Sequence, residues 1–265
     1  MNSIVSINLF QFSLIYLLLL LVLGIMKFCH INQTKLLFVA SLRMTVQLIL
    51  SGLVLMAIFK NPHPIFTVLY VLAMLIFSIH RIYVKCPDLN KRFKVVVFCS
   101  LGLTGVFILS YFICIVVGMN LFNPQYTIPI SGMLFGNALT GINLGISTFY
   151  DDIKKQKSQI EVLQNLGANP KKILSPFVNH ALETALLPTL NSLVSMGIVS
   201  LPGMMTGQIL SGTLPTTAIL YQIAIMIAIA TIVCLSVFGS LYFGSRTLID
   251  KKARIRIRAF DENED

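Results

Sequence analysis

The sequence predicts an all-α protein, a polytopic membrane helix bundle with about seven transmembrane helices. Of its 265 residues, 56% are hydrophobic and 11% are charged, and the mean hydropathy is +0.84. A soluble domain needs more polar residues than this for its water-facing surface. Apolar windows of roughly 20 residues, long enough to cross a bilayer as a helix, recur along the chain. We expect one transmembrane domain over residues 1–265, because no polar stretch is long enough to fold separately.

The apolar windows set the spans in chain order. The first is expected to be retained as a span, because no Lys or Arg precedes it as in a signal peptide. The third is short enough to be tilted or re-entrant, and the end of the sixth is left open. The predicted spans are Leu9 to Met26, Leu36 to Phe59, Pro64 to His80, Val95 to Met119, Ile128 to Phe149, Ala181 to Leu201 and Thr216 to Phe243.

Lys and Arg predict the orientation, because loops that stay in the cytoplasm keep positive charge. They concentrate in alternate loops, at residues 27–35, 81–94 and 154–172, and in the tail after Arg246. The N-terminus is therefore expected outside and the C-terminus in the cytoplasm, with the chain crossing the membrane several times. The net charge of +10 is thus a topology signal and not a nucleic-acid signal. Contact with anionic lipid heads in the bilayer is a second use of it.

The second span carries a charge. Arg43, Gln47 and Ser51 recur every four residues and share one helix face. A charge within the membrane costs several kcal/mol unless it meets protein or water. Arg43 either snorkels to the inner interface from about 10 Å inside the helix or faces the bundle and pairs with Glu183. We include Arg43 and Gln47 among the candidate residues of a translocation path.

The fifth span has a stripe of small and polar residues. Gly132, Gly136, Thr140, Asn143 and Ser147 are spaced by three or four residues along one face. Two GxxxG pairs, at residues 132–136 and 141–145, allow a neighbouring backbone to approach closely. The stripe is interpreted either as helix packing or homodimer contact, or as the lining of a polar path that includes Asn137, Thr140 and Asn143.

Residues 190–215 hold the densest Gly, Pro, Met and polar content of any apolar region. Pro202 followed by Gly203 is expected to break a helix, and broken helices at membrane depth are common cargo sites in transporters. A simple extracellular turn is the alternative. The candidate path residues in this break are Pro202, Gly203, Met204, Met205, Thr206 and Gln208.

Motifs for catalysis are missing from the sequence. It has no GxxxxGK[ST] and so no P-loop, and no HExxH or GxSxG. The five cysteines stand singly, without CxxC or Cys/His spacing that would build a metal site. The acidic residues lie at or near the predicted cytoplasmic side, which argues against a carrier built on buried carboxylates. The chain is therefore not expected to be an enzyme or to hold a cofactor, and its metal ligands are unknown.

The stretch from Tyr150 to Pro188 is the long polar interruption, and residues 150–180 are its coupling segment. Ile160, Leu163 and Leu166 recur every three residues, which predicts a short helix with one apolar face. Gly167 is typical of a left-handed C-cap, and Asn169 with Pro170 is typical of the start of the next helix. Such a face can seat in a groove of a partner, or it can lie on the inner leaflet.

A resemblance to a known family adds to this interpretation. EVLQNLGA, at Glu161 to Ala168, resembles the EAA loop of ABC-transporter permeases, where a glutamate precedes a glycine by six residues. LRMTVQL at Leu42 to Leu48 and SLPGMMTGQILSG at Ser200 to Gly212 are similar to the FetB family, permease subunits of a bacterial ABC-type iron exporter.

The resemblance implies an ABC transporter permease that exports iron or a related metal ion, driven by a separate cytoplasmic P-loop ATPase. It implies two permeases, as a homodimer, with two ATPases, multi-pass in the inner (plasma) membrane of a bacterial cell. Together with the apolar periodicity it points to Ile160, Glu161, Leu163, Leu166 and Gly167 as the ATPase-docking residues. The alternative is an ATP-independent channel or secondary carrier for a metal ion or small solute.

Overall fold

The computed structural model describes residues 8–87, 89–250 and 255, and these are helical apart from turns, short loops and isolated bridges. A π-helical turn, Phe112–Val116, extends the fourth helix. The all-α class is therefore confirmed for the described part of the chain. The helices are α1 Leu9–Phe28, α2 Thr34–Lys60, α3 Pro64–Lys85, α4 Lys91–Tyr111, α5 Pro124–Lys155, α6 Lys157–Asn165, α7 Pro170–Ser195, α8 Gly203–Leu210 and α9 Pro215–Arg246.

Local sequence signals explain where several helices begin. Proline occupies the first position of α3, α5, α7 and α9, where a backbone N–H would have no intrahelical partner in any case. His63, Asn123 and Asn169 precede three of these prolines, and each accepts a hydrogen bond from the backbone N–H two residues further on. These caps satisfy one of the donors that a helix start leaves open.

The long helix α5 lies at the centre of the bundle and packs against α3, α4, α7 and α9. Leu134, Ala138, Ile142 and Phe149 on its inner face are all 0% exposed. Lipid tails are as apolar as these side chains, so close packing rather than transfer from water favours association of the helices. The shape of the inner face of α5 therefore determines how tightly its neighbours can approach.

One end of the bundle gathers most of the basic side chains and is called the basic end below. The Tyr83 hydroxyl, near the end of α3, donates to the Lys94 carbonyl in α4 at 2.6 Å. The Phe93 ring lies 6.2 Å from the Tyr150 ring of α5, and it also faces Gly244 in α9. The ends of α3, α5 and α9 and the start of α4 therefore lie together, and α6 returns the chain to the start of α7 at the same end.

The first two helices form a hairpin that is hardly buried by the rest of the chain. None of the apolar window of α1 is buried, and 6% of that of α2 is buried. The Tyr16 and Thr45 hydroxyl oxygens lie 2.7 Å apart and join the two helices. Ile58, near the end of α2, is the buried residue of that helix. The hairpin offers nearly its whole surface to lipid or to another protein chain.

Five described helices are long and apolar enough to cross a membrane by length and composition: α1, α2, α3, α4 with its π turn, and α9. They match the first four and the last of the predicted spans. The other two predictions correspond to α5 and α7, with 32 and 26 residues, which carry more polar side chains. The total of seven crossings therefore stays a prediction.

Two helices extend beyond the spans that the apolar windows predicted. α3 continues to Lys85 and has 22 residues, so it is not the short segment that the apolar window suggested. α7 begins at Pro170, the helix start predicted from Asn169 and Pro170, about three turns before the predicted span, and it ends at Ser195. Its internal Pro176 and Pro188 do not interrupt it, because neighbouring helices and side chains can satisfy the few backbone groups that such a proline frees.

Candidate functional site

The short helix α6 lies at the basic end, next to α5 and α7. Its side chains Val162, Leu163 and Leu166 are 58%, 42% and 78% exposed, whereas Ile160 is 1% exposed. Ile160 was predicted to be a docking residue together with Leu163 and Leu166, and its burial contradicts that role for Ile160. Ile160 belongs to the hydrophobic core and anchors α6 to the bundle. Leu163 lies on the same side of α6 and lines one cavity together with Ile160, but it is partly exposed, and Val162 and Leu166 are exposed.

The corner between α6 and α7 has the predicted caps. Gly167 has a φ of +77°, a left-handed conformation that glycine adopts at little cost. The Ala168 N–H donates to the Leu163 carbonyl at 3.0 Å, which closes the end of α6. The Asn169 side chain then accepts from the Lys171 N–H at 3.0 Å. These bonds fix the direction in which α6 leaves α7 and presents its exposed leucines.

A cavity of about 490 Å³ lies beneath α6, between the end of α5 and the first turns of α7. Asp152 and His180 line it, and Asp152 Oδ2 lies 2.6 Å from His180 Nδ1. This contact was not predicted from the sequence, because the two residues are 28 positions apart and neither belongs to a motif. The contact joins α5 to α7 directly beside the exposed helix.

Glu161 is the acidic residue of α6. Its carboxylate lies 3.8 Å from the Lys157 ammonium one helical turn earlier, and both side chains are partly exposed. Such pairs stabilise a helix by only about 0.3–0.5 kcal/mol. Glu161 therefore remains accessible at the surface of α6.

The central helix α5 has one face that packs against α9 and another that is open at Gly136. A Cβ at Gly141 would lie 2.7 Å from Val233 Cγ1 of α9, and a Cβ at Gly145 would lie 3.1 Å from Val237 Cγ1. The second GxxxG pair thus packs directly against α9. A Cβ at Gly136 would meet nothing within 4 Å, so the other face of α5 is open.

The predicted polar stripe lies on this open face. None of its five members is buried, and Gly136 and Thr140 are exposed, as is the adjacent Asn137. The prediction that these residues share one side of the helix is confirmed. The open face contains Gly136, Thr140, Asn143 and Ser147, whereas Gly132 lies against α3, where a Cβ would come within 3.0 Å of Met74 Cε.

The lower part of the open face borders a groove between α3 and α5 of about 500 Å³. Thr140, Asn143 and Ser147 line it, together with Arg81 and Lys85 of α3. From the sequence, Arg81 and Lys85 contributed only to the predicted orientation of the chain in the membrane. The Asn143 Oδ1 is buried and has no hydrogen-bond partner. Because buried acceptors in folded proteins normally take a hydrogen bond from protein or water, this oxygen is suited to accept from water or to contact a cation.

The predicted break at Pro202 and Gly203 separates α7 from α8, after a loop in which Gly197 and Ser200 are hydrogen bonded through their backbones. It therefore follows the end of α7 and does not interrupt a long helix. α8 packs on α9. Met204 lies against the core, and the Gln208 Oε1 is buried without a partner.

Gln222 of α9 is a further polar residue of this region. Its side chain is 6% exposed, its Nε2 lies 3.7 Å from the Met196 sulfur, and its Oε1 has no partner. In the sequence, Gln222 is a single amide near the start of an apolar span, and a single polar residue does not predict a role. Asn143, Gln208 and Gln222 thus each present a buried amide oxygen that is free to accept.

Arg43 and Gln47 are exposed on α2, outside the central packing of the bundle. Arg43 lies about 14 Å along α2, counted from the start of the helix at Thr34. The described residues include no ion pair between Arg43 and Glu183, and Glu183 is exposed on α7. The proposed pairing of these two residues inside one bundle was therefore wrong.

No group of three or more His, Cys, Asp or Glu side chains that could hold a metal ion occurs among the described residues. The cysteines Cys29, Cys99, Cys114 and Cys234 form no disulfide bond among the described residues. Any metal that passes through this part of the protein would meet amide, hydroxyl and carbonyl oxygens and thioether sulfur instead of a closed cluster of strong ligands.

Apolar helices around a polar central helix define a multi-pass membrane protein. The chain belongs to the family described as "Uncharacterised protein family (UPF0014)", whose model matches residues 9–249. This membership confirms the resemblance predicted from the sequence motifs, and with the bacterial members of the family it indicates the plasma membrane.

Three relatives show the range of the family. The UPF0014 membrane protein YjkA of Bacillus subtilis is 32% identical over 81% of this chain and 84% of its own. The probable iron export permease protein FetB of Escherichia coli is 30% identical over 80% of this chain and 81% of its own. The Arabidopsis thaliana protein ALUMINUM SENSITIVE 3 is 34% identical over 58% of this chain and 57% of its own. No solved structure matches the chain.

Proposed function

We propose that the chain is the permease subunit of an ABC-type exporter for iron or a related metal ion. In this proposal it crosses the membrane seven times, with its N-terminus outside, and two copies assemble with two cytoplasmic ATPases. The observation that carries the proposal is α6, a capped helix at the basic end with Leu163 and Leu166 held outward. An exposed apolar face on a short helix is suited to seat in a groove of another protein.

The motion of α6 would reach the membrane helices through contacts on two sides. Ile160 fixes α6 to the core, and the capped corner at Gly167 connects it rigidly to α7. The cavity beneath α6 leaves space for a displacement, and the contact of Asp152 with His180 joins α5 to α7 there. Closure of the ATPase dimer on nucleotide would then shift α5 and α7 together.

The open face of α5 is the proposed start of the cargo path. Gly136, Asn137 and Thr140 face away from the protomer, so that in a homodimer they would border the space between the two copies. The unpartnered oxygens of Asn143, Gln208 and Gln222 could accept from the water shell of a metal ion or bind the ion directly. Weak, repeated oxygen contacts suit transport, because an ion must leave each site as readily as it enters.

Iron is proposed because the relative FetB is named as a probable iron export permease. The test is to measure the metal content of cells with and without the protein under iron, manganese and copper stress. Excess iron retained by cells that lack it supports the assignment. Excess of a different metal overturns the assignment to iron but not the transport role.

Dependence on the ATPase is tested in proteoliposomes. We expect ATP-driven metal movement only when the permease and its ATPase are reconstituted together, because the chain has no P-loop of its own. Metal flux through the permease alone, at the rate of the complete complex, would instead identify an ATP-independent channel or carrier.

The homodimer would also supply partners for Arg43 and Glu183, which form no ion pair with each other among the described residues of one protomer. Both are exposed on helices that start at the basic end, about 14 Å and about 20 Å along them. Unpaired charges within the membrane cost several kcal/mol. We therefore expect Arg43→Glu or Glu183→Arg alone to reduce dimer crosslinking and export about tenfold or more, and the combined exchange to restore both. Lys60→Glu, an exposed charge at the other end of α2, serves as the control.

The charge exchange has a clear opposite outcome. If both single variants crosslink and export like the wild type, Arg43 reaches the membrane interface by itself and the pairing between copies does not exist.

A further inference from the structure

A cleft of about 340 Å³ lies between the first turns of α7 and the last turns of α9, at the basic end. It opens on the side of α7 that faces α9, whereas the cavity beneath α6 opens on the side that faces α5. Lys171, Lys172 and Arg246 line it, and its described lining contains no carboxylate. The cleft is therefore strongly positive at its rim.

Hydroxyl and amide groups continue the polar rim. Ser175 and Asn179 follow Lys171 and Lys172 along the same side of α7 and also line the cleft. Their donors lie beside the cations, so the rim offers both charge and hydrogen bonds to one bound group. This combination matches a phosphate diester, which carries a negative charge and several acceptor oxygens.

Below the rim the cleft becomes apolar and aromatic. The Arg246 guanidinium carbon lies 4.3 Å from the centre of the Tyr242 ring. The Tyr242 ring stacks in turn on Phe238 at 5.1 Å with an interplanar angle of 14°. Phe238 lies about 12 Å along α9 from Arg246 and is 42% exposed. The guanidinium of Arg246, at the end of α9, is thus followed along the same helix by the exposed rings of Tyr242 and Phe238, which form an apolar track.

We propose that this cleft binds an anionic phospholipid of the inner leaflet. The head-group phosphate would lie between Lys171 and Arg246, with Ser175 and Asn179 as donors, and one acyl chain would follow Tyr242 and Phe238. A free phosphate would satisfy the rim but not the apolar track, whereas a zwitterionic lipid would fill the track but gain less from the cations. Basic pockets between membrane helices on the cytoplasmic side bind anionic head groups in this way. The proposal rests on the proposed orientation, with the basic end in the cytoplasm, but not on the cargo or on the ATPase.

The test uses the full chain purified in detergent and titrated with phosphatidylglycerol, phosphatidylcholine or inorganic phosphate. Lipid retention is measured by native mass spectrometry and the melting temperature by fluorescence. We expect phosphatidylglycerol to be retained and to raise the melting temperature, and neither phosphatidylcholine nor phosphate to do so. Lys171→Gln with Arg246→Gln should weaken phosphatidylglycerol binding by about fivefold for each charge removed.

The matched control is Lys91→Gln with Arg92→Gln. It removes the same charge from exposed positions at the same end of the bundle, and it should bind phosphatidylglycerol like the wild type. If Arg246→Gln prevents folding, Lys171→Glu alone tests the rim, because Lys171 is exposed. Equal retention of the two lipids, an equal effect of phosphate alone, or an equal loss in the control variant overturns the proposal.

Discussion

Replacing Leu163 by aspartate is expected to release the ATPase from the purified complex while the permease itself remains folded. Leu163 is 42% exposed beside Leu166, which is 78% exposed, so neither side chain contributes much to the core. Burial of one leucine in an interface is worth about 2 kcal/mol, and a charge placed there must also lose its water shell. We therefore expect the affinity for the ATPase to fall at least thirtyfold, measured by co-purification and by the ATPase activity of the complex.

Asn165→Asp is the control for this substitution. It adds the same charge to an exposed position of the same helix but removes no apolar contact, so it should keep the ATPase. Gly167→Pro provides an independent disruption, because proline cannot adopt the φ of +77° found there. Retention of the ATPase by both Leu163→Asp and Gly167→Pro would show that α6 is not the docking element.

The corner at Gly167 could be predicted from sequence because its cause is local. A glycine that allows positive φ, and an asparagine before proline, carry their structural meaning within a few residues. The burial of Ile160 could not be predicted in this way. Its spacing matches Leu163 and Leu166, but the shape of α7 and the core beneath α6 determines which of the three is covered.

The polar stripe of α5 shows the same distinction. Helical periodicity placed Gly136, Thr140 and Asn143 on one face correctly, because that relation is a property of a single helix. Whether neighbouring helices cover this face could not be predicted from the sequence. The stripe could therefore be interpreted either as a packing or dimer contact or as the lining of a polar path. Contacts between residues that are far apart in the sequence could not be predicted. Examples are the contacts of Asp152 with His180 and of Gln222 with Met196.

The two glycine pairs of α5 lead to the second large expected effect. Gly136→Ile should leave the protomer folded, because a Cβ there meets nothing within 4 Å and isoleucine favours a helix more than glycine does. In the proposed dimer, however, the added side chain would fill the space between the copies. We expect export below about a tenth of the wild-type rate, since small residues at such faces permit close helix approach.

Gly141→Ile is the matched comparison on the opposite face of α5. Its Cβ would lie 2.7 Å from Val233 Cγ1 and 3.3 Å from Val237 Cγ2, so α5 and α9 would have to separate. Overpacking of this kind costs about 1–3 kcal/mol or more, and the expected result is a lower melting temperature and lower yield. The two variants thus separate a folding defect from a transport defect with the same substitution. Normal export by a well-folded Gly136→Ile would exclude the open face of α5 from both the path and the dimer contact.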